Sequence, residues 1–162
     1  MSYSETVEVA GRCLCFRTQR AARILARRFD QAFKPHGLTN GQFSLLMALN
    51  RPEPAAMGPL ADFLGMDRTT LTAALKPLQR RGLVESKANA KDKRVRGLIT
   101  TDQGRALIAQ LLPIWRAEHD RLDAELSWLG TTPATLRDGL GAIGSMGREA
   151  TKDETAPNGG RR

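Results

Sequence analysis

Several things are scarce in this 162-residue chain. It has two cysteines, Cys13 and Cys15, one residue apart. That pair builds no disulfide framework, so a reducing cytoplasm is the expected setting. Two histidines, His36 and His119, stand without a cluster of cysteines or carboxylates at ligand spacing, which makes a poor zinc site. No nucleophile–base spacing suggests catalysis, so an enzyme is the least supported class, and no cofactor is expected. No apolar run approaches the roughly 20 residues of a membrane span. The opening MSYSETVEVAGRC lacks the basic start and apolar stretch of a signal peptide. Acid is also in deficit, with 17 Asp and Glu against 25 Lys and Arg, a net charge of +8.

The excess positive charge is local. Residues 67–96 hold nine basic groups and three acids, or +6, while 35–66 carry −1 and 97–146 carry −2. A concentrated basic segment points to a binding surface for an anionic partner, with nucleic acid the first candidate. Its densest part is KANAKDKRVRG, residues 87–97, where five of eleven residues are Lys or Arg.

Periodicity places this segment. A first helix is expected from about Thr6 to Phe33, with an apolar stripe of Leu14, Thr18, Ala21, Leu25, Phe29 and Ala32. Thr39 or Asn40 can cap a second helix carrying Phe43, Leu46, Met47 and Leu49. A short helix follows from about Pro59 to Leu64, then the turn Gly65-Met66. Asp67 caps a helix from Arg68 to about Arg81, which Gly82 ends. Pro77 should kink it or tighten its last turn. Leu83–Ser86 and Val95–Thr100 read as strands around the basic loop, with Val95 and Ile99 pointing inward. Thr101 or Asp102 opens a helix to about Leu126, ~38 Å long at 1.5 Å per residue, more than so small a domain covers alone. A last helix is expected from about Pro133 to Met146, followed by a disordered tail. GLGAIG, residues 139–144, matches a dinucleotide fingerprint letter for letter, but no strand precedes it, so that reading is rejected.

Helix, glycine turn and helix, followed by a basic hairpin, spell a winged helix-turn-helix. The fold class is mainly α (α+β winged helix): a helical dimerisation scaffold bearing a DNA-binding lobe. Residues 1–34 form an N-terminal dimerisation helix, 35–100 the winged lobe, 101–147 C-terminal dimerisation helices, and 148–162 the tail. Arg68, Thr69, Thr70 and Thr72 open the helix that enters a major groove, where arginine can pair with guanine. Lys76, Arg80 and Arg81 lie further along, suited to phosphates. In the hairpin, Lys91, Lys93 and Arg94 face DNA, Arg94 entering a minor groove. Asp92, the acid of this strip, pairs with Arg94 and fixes its direction.

DRTTLTAALKPLQRRGLVES and DKRVRGLITTDQGRAL resemble the MarR family of bacterial transcription regulators, over about residues 12–127. Asp92-Lys93-Arg94 matches the wing's Asp-x-Arg, and TTDQGRAL the start of the long helix after the wing. The resemblance implies a homodimer with intertwined terminal helices and a near-palindromic operator. It also implies a small-molecule or redox effector. An aromatic acid bound between scaffold and winged lobe is the expected form. Cys15, in Leu14-Cys15-Phe16, resembles the reactive cysteine of the subgroup that senses organic hydroperoxides. That subgroup holds its thiolate with two tyrosines, and the matching positions here are Phe29 and Asn40. The loss of both phenols favours two small buried apolar cysteines instead.

Overall fold

The structure is a computed structural model that describes residues 3–88 and 96–153, with side chains through 146. Among these residues seven α-helices and one hairpin follow in order, with a short 3-10 helix (Lys34–His36) after the second: α1 (Tyr3–Arg12), α2 (Leu14–Phe33), α3 (Asn40–Leu49), α4 (Met57–Leu64), α5 (Arg68–Arg80), β1 (Val84–Ala88), β2 (Arg96–Thr100), α6 (Asp102–Trp128) and α7 (Pro133–Asp153). Among the described residues, no helix is long and apolar enough to cross a membrane.

The first expected helix is two. The chain breaks at Cys13, which has extended backbone (φ −72°, ψ 105°) and caps α2 by accepting the Phe16 N–H on Sγ at 3.4 Å. Gly11, a weak helix former, precedes the break, and its carbonyl accepts Arg17 Nε at 3.0 Å. Further ends also shift. α4 begins at Met57, two residues early; β1 runs Val84–Ala88; α6 continues to Trp128; and α7 reaches Asp153, so residues 148–153 of the expected tail are helical. Val95 lies outside the described residues, whereas Ile99 is buried as expected.

The core explains why these elements assemble. Phe29 and Phe33 of α2, Phe43, Leu46 and Leu49 of α3, Leu71, Leu75 and Leu78 of α5, and Ile108 and Leu111 of α6 bury one continuous apolar cluster. It crosses the expected boundary at 100/101, because the first turns of α6 complete the lobe. Thr39 caps α3 with a full capping box involving Gln42, and Asp30 of α2 accepts the Asn40 N–H at 2.6 Å. Arg28 of α2 reaches two acids of α6, Glu118 at 3.0 Å and Glu125 at 2.7 Å. That ion-pair cluster fastens the scaffold helices outside the apolar core.

Five of the eight residues of TTDQGRAL, 100–107, have a visible physical reason. Thr100 is buried and donates its hydroxyl to the Leu46 carbonyl at 3.0 Å. Thr101 is the N-cap, accepting the Gly104 N–H at 3.1 Å, and donates to the Gly82 carbonyl at 2.7 Å. Gly104 packs so tightly that a Cβ there would strike the Leu83 carbonyl and come within 2.6 Å of Thr100 Cγ2. Arg105 ties back to Asp102 and to the Thr100 carbonyl. The motif therefore welds α6 to the strand that precedes it.

Candidate nucleic-acid interface

Helices α4 and α5 meet at Gly65, whose left-handed φ of 62° lets the chain turn within two residues. Asp67 then opens α5, accepting the Thr70 N–H at 2.8 Å and the Thr70 hydroxyl at 2.5 Å. These bonds, the hydroxyl one first, hold the Asp67 carboxyl below its ordinary range. At the far end, Gly82 N–H bonds the Gln79 carbonyl and Leu83 N–H the Leu78 carbonyl, the paired closure of a glycine-terminated helix. Pro77 stays inside α5 without ending it. The hydrogen bond it forgoes would reach the carbonyl of Ala73, an exposed residue where water can replace it.

Burial sets the outward face of α5. Leu71, Leu75 and Leu78 face the core. Thr69, Thr72, Lys76 and Arg80 are all exposed and recur at intervals of three and four, which puts them on one opposite stripe. Thr70 and Thr72 have their hydroxyl hydrogens committed, Thr70 to Asp67 and Thr72 to the Arg68 carbonyl at 2.7 Å. Thr69 makes no side-chain hydrogen bond among the described residues. Arg68 is exposed at the edge of the stripe, one turn before Thr72, and its guanidinium turns back beside Gly58 of α4. Arg81 turns away altogether, donating to the Gly37 carbonyl at 2.5 Å.

The hairpin rises beside this helix. β1 and β2 pair antiparallel from Val84 with Thr100 to Ala88 with Arg96, and Ala55 bridges the other edge of β2 through two 2.8 Å bonds with Leu98. Arg96 is bound to β1, through Ser86 Oγ at 3.2 Å and the Ser86 carbonyl at 2.8 Å. Lys91, Asp92, Lys93 and Arg94 lie outside the described residues, as does the expected Asp92–Arg94 pair.

A cavity of about 520 Å³ opens between α3, α4 and α6. Phe43, Met47, Phe63, Leu64, Leu112 and Trp115 line most of it, and Asn40 and Ser44 supply polar atoms. A cavity at the scaffold–lobe junction was expected, but its lining was not legible from periodicity alone. Phe63 was the available signal, an aromatic on α4 outside that helix's buried pair Leu60 and Ala61. Beside the cavity wall at Trp115, the His119 ring lies tilted against both Phe29 and Trp115, at centroid distances of 4.6 and 4.0 Å. Its Nδ1 lies 2.9 Å from the Trp115 carbonyl, which can only accept, so Nδ1 carries the hydrogen.

The cysteines are not buried apolar residues. Cys15 is exposed and Cys13 half-buried, because this end of α2 stands clear of the lobe's core. Of the two matching positions, Phe29 is buried and Asn40 begins α3, and neither residue carries a phenol. GLGAIG lies inside α7, without a strand before it. Among the described residues, no three His, Cys, Asp or Glu side chains converge as metal ligands.

This architecture, a helix-turn-helix with an adjoining hairpin carried on long helices, defines a winged helix-turn-helix protein. Residues 36–95 match the MarR family. The M. tuberculosis transcriptional regulator MosR, solved in complex with DNA, is 37% identical over 86% of this chain and 97% of its own, with a TM-score of 0.68. The transcriptional repressor CouR, solved on a 23-mer DNA duplex, is 28% identical over 85% of this chain and 94% of its own, with a TM-score of 0.66. The transcriptional activatory protein BadR of Rhodopseudomonas palustris is 34% identical over 102 residues, 61% of this chain but only 58% of BadR. The chain belongs to the MarR family, and these relatives are transcription regulators, not enzymes.

The Asp67 cap yields a pH prediction. Its folded pKa is depressed, so its stabilisation is complete above the ordinary carboxylate range and is lost as pH falls through the lower folded value. Asp102, Asp123 and Glu125, each depressed first by an arginine hydrogen bond, act in the same direction. The melting temperature should therefore fall as pH drops below about 4. Asp67→Asn keeps a capping oxygen but cannot titrate there, so its acid loss should be shallower. Identical pH profiles for the two proteins would remove Asp67 from this account.

Proposed function

We propose that the chain is a sequence-specific DNA-binding repressor that acts as a homodimer on a near-palindromic operator and is released by a small-molecule effector. One observation carries the reading. Core burial turns the stripe of Thr69, Thr72, Lys76 and Arg80 outward, directly beside the basic hairpin. In this reading Thr69 and Thr72 face base edges, and Lys76 and Arg80 meet phosphates. Thr70 acts mainly through the cap. Lys91, Lys93 and Arg94 would extend the contact into the minor groove, with Asp92 orienting Arg94.

Dimerisation is supported by the apolar side chains that one copy leaves in water. Tyr3, Val7, Leu14 and Phe16 are exposed near one terminus, and Trp128, Leu136, Leu140, Ile143 and Met146 near the other. So much apolar surface on the terminal helices fits burial against a second copy. Selection from a pool of randomised duplexes tests the whole reading. The expected product has two inverted half-sites about 34 Å apart, bound with an affinity that falls steeply with salt. Recovery of a single half-site, or of no preference at all, would exclude a symmetric sequence-specific regulator.

For the effector, the cavity between α3, α4 and α6 is the proposed seat. It joins the first helix of the reading unit to the scaffold, so a ligand that favours one spacing of α4 and α6 would shift DNA affinity. Its lining fits an aromatic ring, with Asn40 and Ser44 available to the carboxylate of an aromatic acid. CouR, which shares this fold, has also been solved with p-coumaroyl-CoA. Aromatic acids should raise the melting temperature and release DNA. Phe63→Ala, at an exposed position, should weaken that binding by about 0.5–1.5 kcal/mol while leaving the fold intact. Ligands that stabilise both proteins equally would place the effector elsewhere.

The exposure of Cys15 supports a second reading, a thiol-based peroxide-sensing repressor. Organic peroxide should then lower operator affinity, and Cys15→Ser should resist it. An intact Cys15 thiol by mass, with unchanged affinity, rules this out.

A further inference from the structure

Arg68 is the first residue of α5, one turn before Thr72 of the outward stripe, yet its side chain turns off that face. At about 100° per residue it sits about 100° round from Thr69, at the edge of the stripe on the side of the core-facing Leu75. From there its side chain runs onto the first turn of α4. A Cβ on Gly58 would come within 2.8 Å of Arg68 Nη2 and 3.6 Å of Cζ. The guanidinium therefore occupies the space that any side chain at position 58 would claim. It makes no hydrogen bond or ion pair among the described residues, so its charge is available to an outside anion.

In a helix-turn-helix the second helix enters the groove while the first crosses the sugar-phosphate backbone. A guanidinium laid over the first helix thus faces phosphate, and its reach toward base edges is lost. We infer that Arg68 is a phosphate anchor rather than a guanine reader, and that Gly58 is the positioning residue that seats it. Base discrimination then falls to the stripe that begins at Thr69. The inference rests on the DNA-binding reading above and refines the role of one side chain within it.

The test compares wild type, Arg68→Ala, Gly58→Ala and the double variant. Each is put through selection from randomised duplexes, then titrated at several salt concentrations on one selected and one scrambled duplex. Arg68→Ala should recover the wild-type base preference, lose affinity for both duplexes by the same factor, and flatten the slope of log K against log salt by about 0.9. Gly58→Ala should do the same to a smaller extent, and should add nothing to Arg68→Ala, because both variants remove one contact. Alanine is a better helix former than glycine, so Gly58→Ala should fold, which a thermal melt verifies. A changed preference at one base position in Arg68→Ala, with scrambled-duplex affinity intact, overturns the phosphate assignment. Additive losses in the double variant overturn the role of Gly58. A wild-type protein that binds no duplex overturns the DNA-binding reading, and this inference with it.

Discussion

Leu71, Leu75 and Leu78 lie along one side of α5, and their burial against α3, α4 and β1 fixes the rotation of that helix about its own axis. The rest of the interface depends on this constraint. With the leucines inward, the stripe of Thr69, Thr72, Lys76 and Arg80 has only one direction left. The energy behind the orientation is hydrophobic and non-directional, at roughly 1.5–3 kcal/mol for each fully buried leucine. The polar face adds little to stability and is free to serve recognition.

The caps convert that rotation into a defined position. Asp67 starts α5 at one residue, and the turn at Gly82 stops it after three and a half turns. Thr101 and Gly104 then hold α6 against the strand, so that the hairpin, α5 and α6 share one core. The aromatic cavity lies between α3, α4 and α6, bounded by Phe63 on one side and Trp115 on the other.

Arginine placement shows how three chemically identical groups divide their work. Arg28 is held above its already high pKa, first by its hydrogen bonds to Glu125 and Glu118, and serves as a fastener between α2 and α6. Arg81 closes a turn through the Gly37 carbonyl. Arg80, one residue earlier on α5, is exposed on the outward stripe. A basic total of 25 therefore overstates the surface available to an anionic partner, and only the arrangement separates clamps from contacts.

Much of this was legible from the chain alone. Helical spacing marked the buried leucines of α5, Asp67 and Gly82 marked its ends, and the run of charge after Ser86 marked the hairpin, because each signal is local and spans only a few residues. Other features depended on contacts between residues far apart in sequence. The break at Cys13 went unread because the residues on either side of it are both helical and the cap is an unusual one, a cysteine sulfur. Spacing could not show that Cys15 would be exposed, since exposure depends on where α2 leaves the core. The cavity assembles residues from 40 to 115, and Arg68 met Gly58 only when α4 and α5 folded together. Periodicity and capping chemistry determined the elements and the basic lobe; packing in three dimensions decided which charges point outward, because a side chain's surroundings are set by distant segments that local pattern does not encode.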